Sequence, residues 1–352
     1  MRSRRIVAAV AAAAALALLP AACARKAEPP ASAGAGKPVI GLVFDVGGRG
    51  DKSFNDQAYA GLERAQKELG ITFRTLETGE GADREAAMRQ LAAGDAGLIF
   101  GVGFLFSEDI AKSATESPDT TFAVIDGFAD SCTQPDSNLL CIGFKEQEGS
   151  FLVGAAAALK TKSNTVGFVG GLEGDLIRKF QAGYEAGVKY IADRDGKSIK
   201  VLVDYAGNTP EAFRNPAKGK ELALKQIGQG ADVLYHAAGA TGNGMIDECA
   251  AQHKFAIGVD SDQSLTTQNP ANREWILTSM LKRVDNAVTQ TIASFVSGSL
   301  KGGIQTLGLK EGGIDYAKND FNTELLGDIP TTLDELKQKI ISGEITVPSK
   351  PS

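Results

Sequence analysis

The sequence predicts an α/β protein built from two doubly wound parallel-sheet lobes. Three observations lead there. Continuously apolar runs of strand length alternate with segments whose apolar residues recur at helical spacing. The rhythm runs once to about residue 145 and then starts again. Polar and aromatic residues gather just past the ends of the predicted strands, where open α/β sheets bind ligands.

In the first unit, Pro38–Phe44 is a strand, apolar on both faces as a buried parallel strand must be. Phe54–Leu69 is a helix, because Ala58, Leu62, Ala65 and Leu69 share one face. Ile71–Leu76 is a strand, Asp83–Ala93 a helix, Gly97–Val102 a strand, Glu108–Ser117 a helix and Thr121–Asp126 a strand. The second unit opens with the alanine-rich helix Gly149–Lys160. Strands at Thr165–Val169, Ile199–Val203, Val233–His236 and Phe255–Val259 then alternate with helices at Ile177–Arg194, Lys218–Gly228 and Gly244–His253. The repeat is one of architecture, with no matching repeat of sequence. Asp45, Phe104, Asp126, Gly170, Tyr205, Ala237 and Asp260 fall at or just beyond strand C-terminal ends. Two such sheets facing each other would enclose a ligand in a cleft between them.

Residues 1–23 stand apart from this pattern. Met1–Arg5 is basic, Ile6–Leu19 contains only Ala, Val, Ile and Leu, and Pro20-Ala-Ala-Cys23 follows. This is the layout of a secretory signal peptide, too short to be a comfortable membrane span. Its small-small-Cys ending resembles a bacterial lipobox, with Pro20 where Leu is usual. Cys23 is therefore the expected lipidation site; the alternative is a simple cut around Ala22–Ala24. Residues 24–37, rich in Ala, Pro, Gly and Ser, read as a flexible tether that lets a folded body stand off a membrane. Removing the leader's three arginines leaves 34 basic against 43 acidic residues, a net charge of −9. That disfavours nucleic acid or anionic lipid as the main partner. Export favours a disulfide between Cys132 and Cys141, nine apart around the loop-forming Thr-Gln-Pro-Asp-Ser-Asn. Two free thiols are the alternative there, and Cys249 is expected to be buried on a helix. His236 and His253, the two histidines, supply no zinc ligand set, so neither metal nor cofactor is expected.

The densest stretch is Asp45-Val-Gly-Gly-Arg-Gly-Asp-Lys-Ser-Phe-Asn-Asp56. It reads as a strand end, a glycine turn and a helix start, with Ser53 as the expected cap and Asp56 three residues on. A phosphate site uses the same parts. However, neither the P-loop spacing nor the dinucleotide glycine pattern is present, and Asp45, Asp51 and Asp56 would repel a phosphate. The Arg49-Gly-Asp51 triplet is too short to signify adhesion. A neutral ligand with a flat ring fits better. Phe54 offers a stacking face, Asn55 offers donors and acceptors, and aspartates accept from sugar hydroxyls. A structural alternative stands beside each: Phe54 as a hydrophobic staple or core residue, Asp56 as a helix cap.

Phe44–Gly61 resembles the signature of the basic membrane protein (Bmp) family, lipoprotein substrate-binding components of ABC transporters similar to purine nucleoside receptors. Further matches are Gly143–Gly149, Val166–Gly171, Phe180–Tyr184, Asn215–Lys220, Gly258–Asp262, Thr278–Lys282 and Leu307–Gly313. The resemblance covers essentially the whole chain beyond the leader. It implies a type I periplasmic-binding fold: two α/β lobes, a three-crossover hinge, and closure over a ligand. On that basis the N-terminal lobe is expected at 38–144 plus 283–302, and the C-terminal lobe at 145–282 plus 303–352. Position by position, Phe54 and Phe213 look like the two faces of an aromatic clamp on a purine. Asn55 and Asp126 look like the groups that bond the base edge, and Asp260 and Lys282 like a ribose-hydroxyl pair. Asp45 resembles a pocket residue. The approach to Phe213, Tyr205–Ala212, is longer and more polar than is usual in the family. Structural alternatives remain: Phe213 packing under its lobe, Lys282 in a hinge ion pair, Asp126 and Asp260 capping the next helices.

The resemblance thus implies a monomeric, non-enzymatic lipoprotein outside the cytoplasmic membrane that hands a purine nucleoside to an ABC permease. A pyrimidine nucleoside or sugar as ligand, and a sensing or adhesion role on the same fold, are the alternatives. An enzyme would need a nucleophile–base pair, a metal-binding cluster or a phosphate site, and Asp260 with Asp262 is thin material for one.

Overall fold

Two parallel sheets carry the molecule, described over residues 36–78 and 84–351 in a computed structural model. The first lobe begins β1 (Val39–Phe44), α1 (Phe54–Leu69), β2 (Thr72–Glu77), α2 (Arg84–Ala92), β3 (Ala96–Val102), α3 (Ser107–Glu116), β4 (Thr121–Ile125) and β5 (Leu139–Phe144). The second continues α4 (Glu146–Lys160), β6 (Thr165–Leu172), α5 (Asp175–Asp195), β7 (Lys200–Gly207), α6 (Pro216–Gly228), β8 (Val233–Ala237), α7 (Ala240–Ala251), β9 (Phe255–Asp260), α8 (Gln263–Thr266) and β10 (Ile276–Lys282). The chain then returns to the first lobe for α9 (Val284–Val296) and β11 (Gly303–Leu307). It ends in the second lobe with β12 (Ile314–Tyr316), α10 (Thr323–Leu326) and α11 (Ile329–Ser342).

The strand orders are β2-β1-β3-β4-β5-β11 and β7-β6-β8-β9-β10-β12. They are the same order, so the two lobes are architectural copies. Neighbouring strands run parallel except β10 and β12, which pair antiparallel. The central strands are apolar runs because helices cover both faces: Ile40, Leu42, Val43, Leu98, Ile99 and Phe100 are all fully buried. Alanine-rich α4 is buried nearly all round, since it lies against α5, β10 and α11.

Three crossovers join the lobes: Lys145 between β5 and α4, Arg283 between β10 and α9, and residues 308–313 between β11 and β12. Gly303–Leu307 departs from the expected partition. It pairs with Leu140–Phe144 in the first sheet, although the family resemblance places 303–352 in the C-terminal lobe. β5 has no counterpart among the expected strands, which end in the first unit at Thr121–Asp126. Cys132 and Cys141 are joined by a disulfide with Cα atoms 6.0 Å apart, which ties a 3-10 turn (Asp130–Thr133) to β5. Cys249 is buried on α7. Cys23, the leader and most of the tether lie outside the described residues.

Candidate functional site

The site starts from the turn after β1. Gly47, Gly48 and Gly50 have φ of 101, 58 and 91°, a left-handed run that side chains with a Cβ resist. Ser53 was expected to cap α1, but its side chain bonds no helix amide. Asp51 does the capping: its Oδ2 accepts from Asn55 N at 2.8 Å and its Oδ1 from Asp56 N at 3.1 Å. Asp56 is no cap either. Its carboxylate gathers the loop, accepting from Gly50 N at 2.9 Å, Lys52 N at 3.1 Å and Arg49 Nε at 2.9 Å. Ser53 Oγ instead donates across the lobes to Asp260 Oδ2.

This turn forms one wall of a cleft between the lobes, with about 550 Å³ of non-atom space that includes some open to solvent. Asp45, Phe54, Asn55, Asp126, Phe213, Asp260 and Lys282 all line it. They come from both lobes, and every one sits at or beyond the C-terminal edge of its sheet. Phe104 and Phe213, one from each lobe, meet nearly edge-on with ring centres 6.4 Å apart. Phe213 reaches the cleft from a 3-10 turn at Pro210–Phe213, so its longer approach does not carry it away.

Asn55 is largely committed to the protein. Its Oδ1 accepts from Asp45 N at 3.0 Å and its Nδ2 donates to Asp51 Oδ2 at 3.1 Å, which leaves one amide hydrogen. Asp126 and Asp260 occupy equivalent places, after β4 and at the end of β9, and both are left-handed, with φ of 65 and 63°. Non-glycine residues in that region are uncommon, and they cluster at ligand sites. Neither aspartate caps the next helix; Asp262 caps α8, accepting from Ser264 N at 3.2 Å.

Among the described residues, Lys282 is the one cation in the cleft lining. Its Nζ donates to Asp126 Oδ2 at 2.5 Å and to Glu146 Oε1 at 3.1 Å. It also lies 5.2, 5.0 and 5.5 Å from the ring centres of Phe54, Phe144 and Phe180. Lys282 therefore does form a hinge ion pair, at the junction of two crossovers, while facing the cleft. Burial alone would lower its pKa, but Asp126, Glu146 and Asp260 hold it above the ordinary lysine value. Burial pushes Asp45 and Asp260 up to about 7, and Asp51 and Asp126 up to about 6. The Lys282 charge offsets part of that rise at Asp126 and Asp260. Asp126 Oδ1 is buried with no hydrogen-bond partner among the described residues. The result is a cleft rich in acceptors and aromatic faces and poor in positive charge. It can take donors and flat apolar surface, and it is hostile to a phosphate.

Sequence reasoning did not pick out Asp51, Phe104, Phe180 or Glu146 as site residues. Phe104 falls just past the end of β3. Phe180 shares a helical face with Leu176 and Ile177, a pattern that reads as core. Glu146, fully buried, reveals itself only through Lys282 and Lys179, whose Nζ atoms lie at 3.1 and 3.2 Å. Gly170 and Tyr205 are absent from the lining. Gly170 packs against the Tyr205 ring, and Tyr205 donates to Gln181 Oε1 at 2.7 Å.

The profile of the Bmp family, described as ABC transporter substrate-binding protein PnrA-like, matches residues 38–351. An uncharacterized lipoprotein of Pyrococcus abyssi is 38% identical over 286 residues, covering 79% of this chain and 68% of that one. The ABC transporter nucleoside-binding protein BmpA of Lactococcus lactis is 32% identical over 326 residues, 88% of each chain. Among solved structures, an ABC transporter system solute-binding protein from Aeropyrum pernix superposes with a TM-score of 0.78 at 32% identity. That superposition covers 90% of this chain and 94% of the other.

Proposed function

The chain belongs to the Bmp family of ABC transporter substrate-binding proteins, and on that premise we propose that it captures a purine nucleoside between its lobes. The observation that carries this reading is the pairing of aromatic rings with the unpartnered Asp126 Oδ1 in a cleft whose lining holds, among the described residues, a single cation. A nucleoside presents a flat base to Phe54 and Phe213, ring N–H groups to Asp126, and ribose hydroxyls to Asp260. Lys282 supplies a donor to the sugar oxygens. Asn55 contributes its remaining amide hydrogen to the base edge, and Asp45 an acceptor beside it. A nucleotide brings negative charge toward four aspartates and is rejected. The Lactococcus relative is named for nucleoside binding, which supports the same ligand class.

In this reading the protein has no catalytic role: it delivers the nucleoside, as a monomer, to an ABC permease. It works outside the cytoplasmic membrane, held by a lipid on Cys23. The Pyrococcus relative is named a lipoprotein, and among the described residues no helix is long and apolar enough to cross a membrane.

The test is a melting and calorimetry panel after unfolding and refolding to strip carried-over ligand. It holds guanosine, adenosine, inosine, cytidine, nucleotides, ribose and galactose. Ligands that bind the native state raise its melting temperature. Purine nucleosides are expected to do so and nucleotides are not. Phe54→Ala is expected to weaken binding about 5- to 150-fold, from the roughly 1–3 kcal/mol of one stacking contact. A response to sugars alone, or an unchanged affinity in Phe54→Ala, overturns the reading.

A further inference from the structure

The lobes touch through a second set of contacts that no ligand needs. Asn243 on α7, Ser261 after β9 and Thr266 on α8 are absent from the cleft lining. All three donate to backbone carbonyls of the first-lobe turn. Asn243 Nδ2 lies 3.0 Å from Asp51 O, Ser261 Oγ 2.5 Å from Lys52 O, and Thr266 Oγ1 3.2 Å from the same oxygen. We propose that these residues form an interlobe latch, which sets how long the cleft stays shut on its ligand.

Both halves of the latch are built in advance. On the first lobe, Lys52 is held at φ 59°, its N–H donated to Asp56. That conformation presents the carbonyls of residues 51 and 52 to the facing lobe. On the second lobe, Asn243 Oδ1 accepts from Gln263 Nε2 at 3.3 Å. Gln263, fully buried, is fixed in turn: its Oε1 lies 2.9 Å from Val259 N and 2.8 Å from His236 Nε2, and its N–H donates to Ser279 Oγ at 3.0 Å. With Oε1 the acceptor, the imidazole carries its proton on Nε2. Ser261 is itself buried. Asn243 and Ser261 are thus already placed to meet the turn, and exposed Thr266 adds a third donor to the same carbonyl as Ser261. The turn also holds Asp45, Asp51, Phe54 and Asn55, so gripping its backbone brings the ligand-lining groups with it. Because the grip is on carbonyls, it is indifferent to which ligand lies inside. It is a device for retention, and selectivity lies elsewhere.

The inference rests on the capture reading only for the choice of probe. Asn243→Ala/Ser261→Ala/Thr266→Val is compared with the unaltered protein by small-angle scattering and by stopped-flow binding of guanosine and adenosine. Ser261→Thr, which keeps the hydroxyl, and the urea midpoint without ligand serve as controls. The triple variant is expected to release both nucleosides faster by a similar factor, about 10-fold, with association nearly unchanged. Its radius of gyration in the presence of ligand should increase, and Ser261→Thr should behave as the unaltered protein. Unchanged dissociation and radius overturn the latch, as does a change confined to one nucleoside. If the unaltered protein binds no nucleoside, the capture reading fails. The scattering of ligand-free protein then decides the latch alone: expansion in the triple variant supports it, and an unchanged radius overturns it.

Discussion

Asp45 and Asp260 are the carboxyls of the cleft lining that burial raises most. Burial raises both to about 7, so their folded-state pKa lies above the unfolded value. The stability linked to such groups is fully present below the unfolded pKa and is lost as pH rises through the folded one. Asp51 and Asp126 act in the same direction. Buried His236, pushed down to about 4, opposes them by favouring the fold as pH rises from 4 toward its unfolded value. Four aspartates outweigh one histidine. The ligand-free protein is expected to melt at a lower temperature at about pH 7.5 than at about pH 5.5, and Asp260→Asn should flatten that slope. A melting temperature that rises over this interval, or an unaltered slope in the variant, would show that these carboxyls titrate normally. The individual residues were legible in sequence because each follows a strand. Asp51 as the cap in place of Ser53 was not legible, because only the three-dimensional path of a three-glycine turn decides which side chain reaches the helix amides.

At the scale of elements, α4 and α5 pack backbone to backbone. A Cβ on Gly187 would lie 2.0 Å from Phe151 O, one on Gly183 2.2 Å from Gln147 O, and one on Gly154 2.3 Å from Tyr184 O. These glycines weaken their helices by roughly 0.5–1 kcal/mol each relative to alanine, so propensity alone would make Gly187→Ala stabilising. Contact with a carbonyl cannot be relieved by a side-chain rotation, and overpacking of this kind costs about 1–3 kcal/mol. Gly187→Ala is therefore expected to lower the urea midpoint; a higher midpoint would mean that the helices part freely. The alternation of strands and helices was legible because central strands must be apolar on both faces. β11 was not, because Ile304, Gln305 and Thr306 face solvent on a sheet edge and leave no apolar signal. β12, three residues long, is recruited by its antiparallel register with β10.

For the whole molecule, the chain passes between the lobes three times, and one apolar cluster runs from Ile40 and Leu98 in the first lobe to Tyr184 and Tyr235 in the second. The first lobe is incomplete without α9 and β11, which are made after the second lobe's sheet strands up to β10. Thr289 Oγ1 of α9 donates to Gly61 O at 3.0 Å, and Arg64 pairs with Asp285 at 3.1 Å. Losing either lobe therefore strips part of the apolar cluster that the two share. Calorimetry should record a single unfolding transition, with van't Hoff and calorimetric enthalpies agreeing. Two resolved transitions would show that the lobes fold independently and that the crossovers are only tethers.

The sequence by itself determined the fold class, the repeat of one α/β unit, and the set of residues at the strand ends. Those properties are local or periodic: a strand buried on both faces must be apolar, and a parallel sheet exposes its chemistry at one edge. Only the tertiary structure decided how that chemistry is shared. It placed Lys282 between Asp126 and Glu146, set Ser53 against Asp260, committed most of Asn55 to its own turn, and put Asn243 and Ser261 on carbonyls of the opposite lobe. Each of these contacts joins residues more than a hundred positions apart or depends on a left-handed backbone. No periodicity records such a pairing; it exists only once both sheets have formed and face each other.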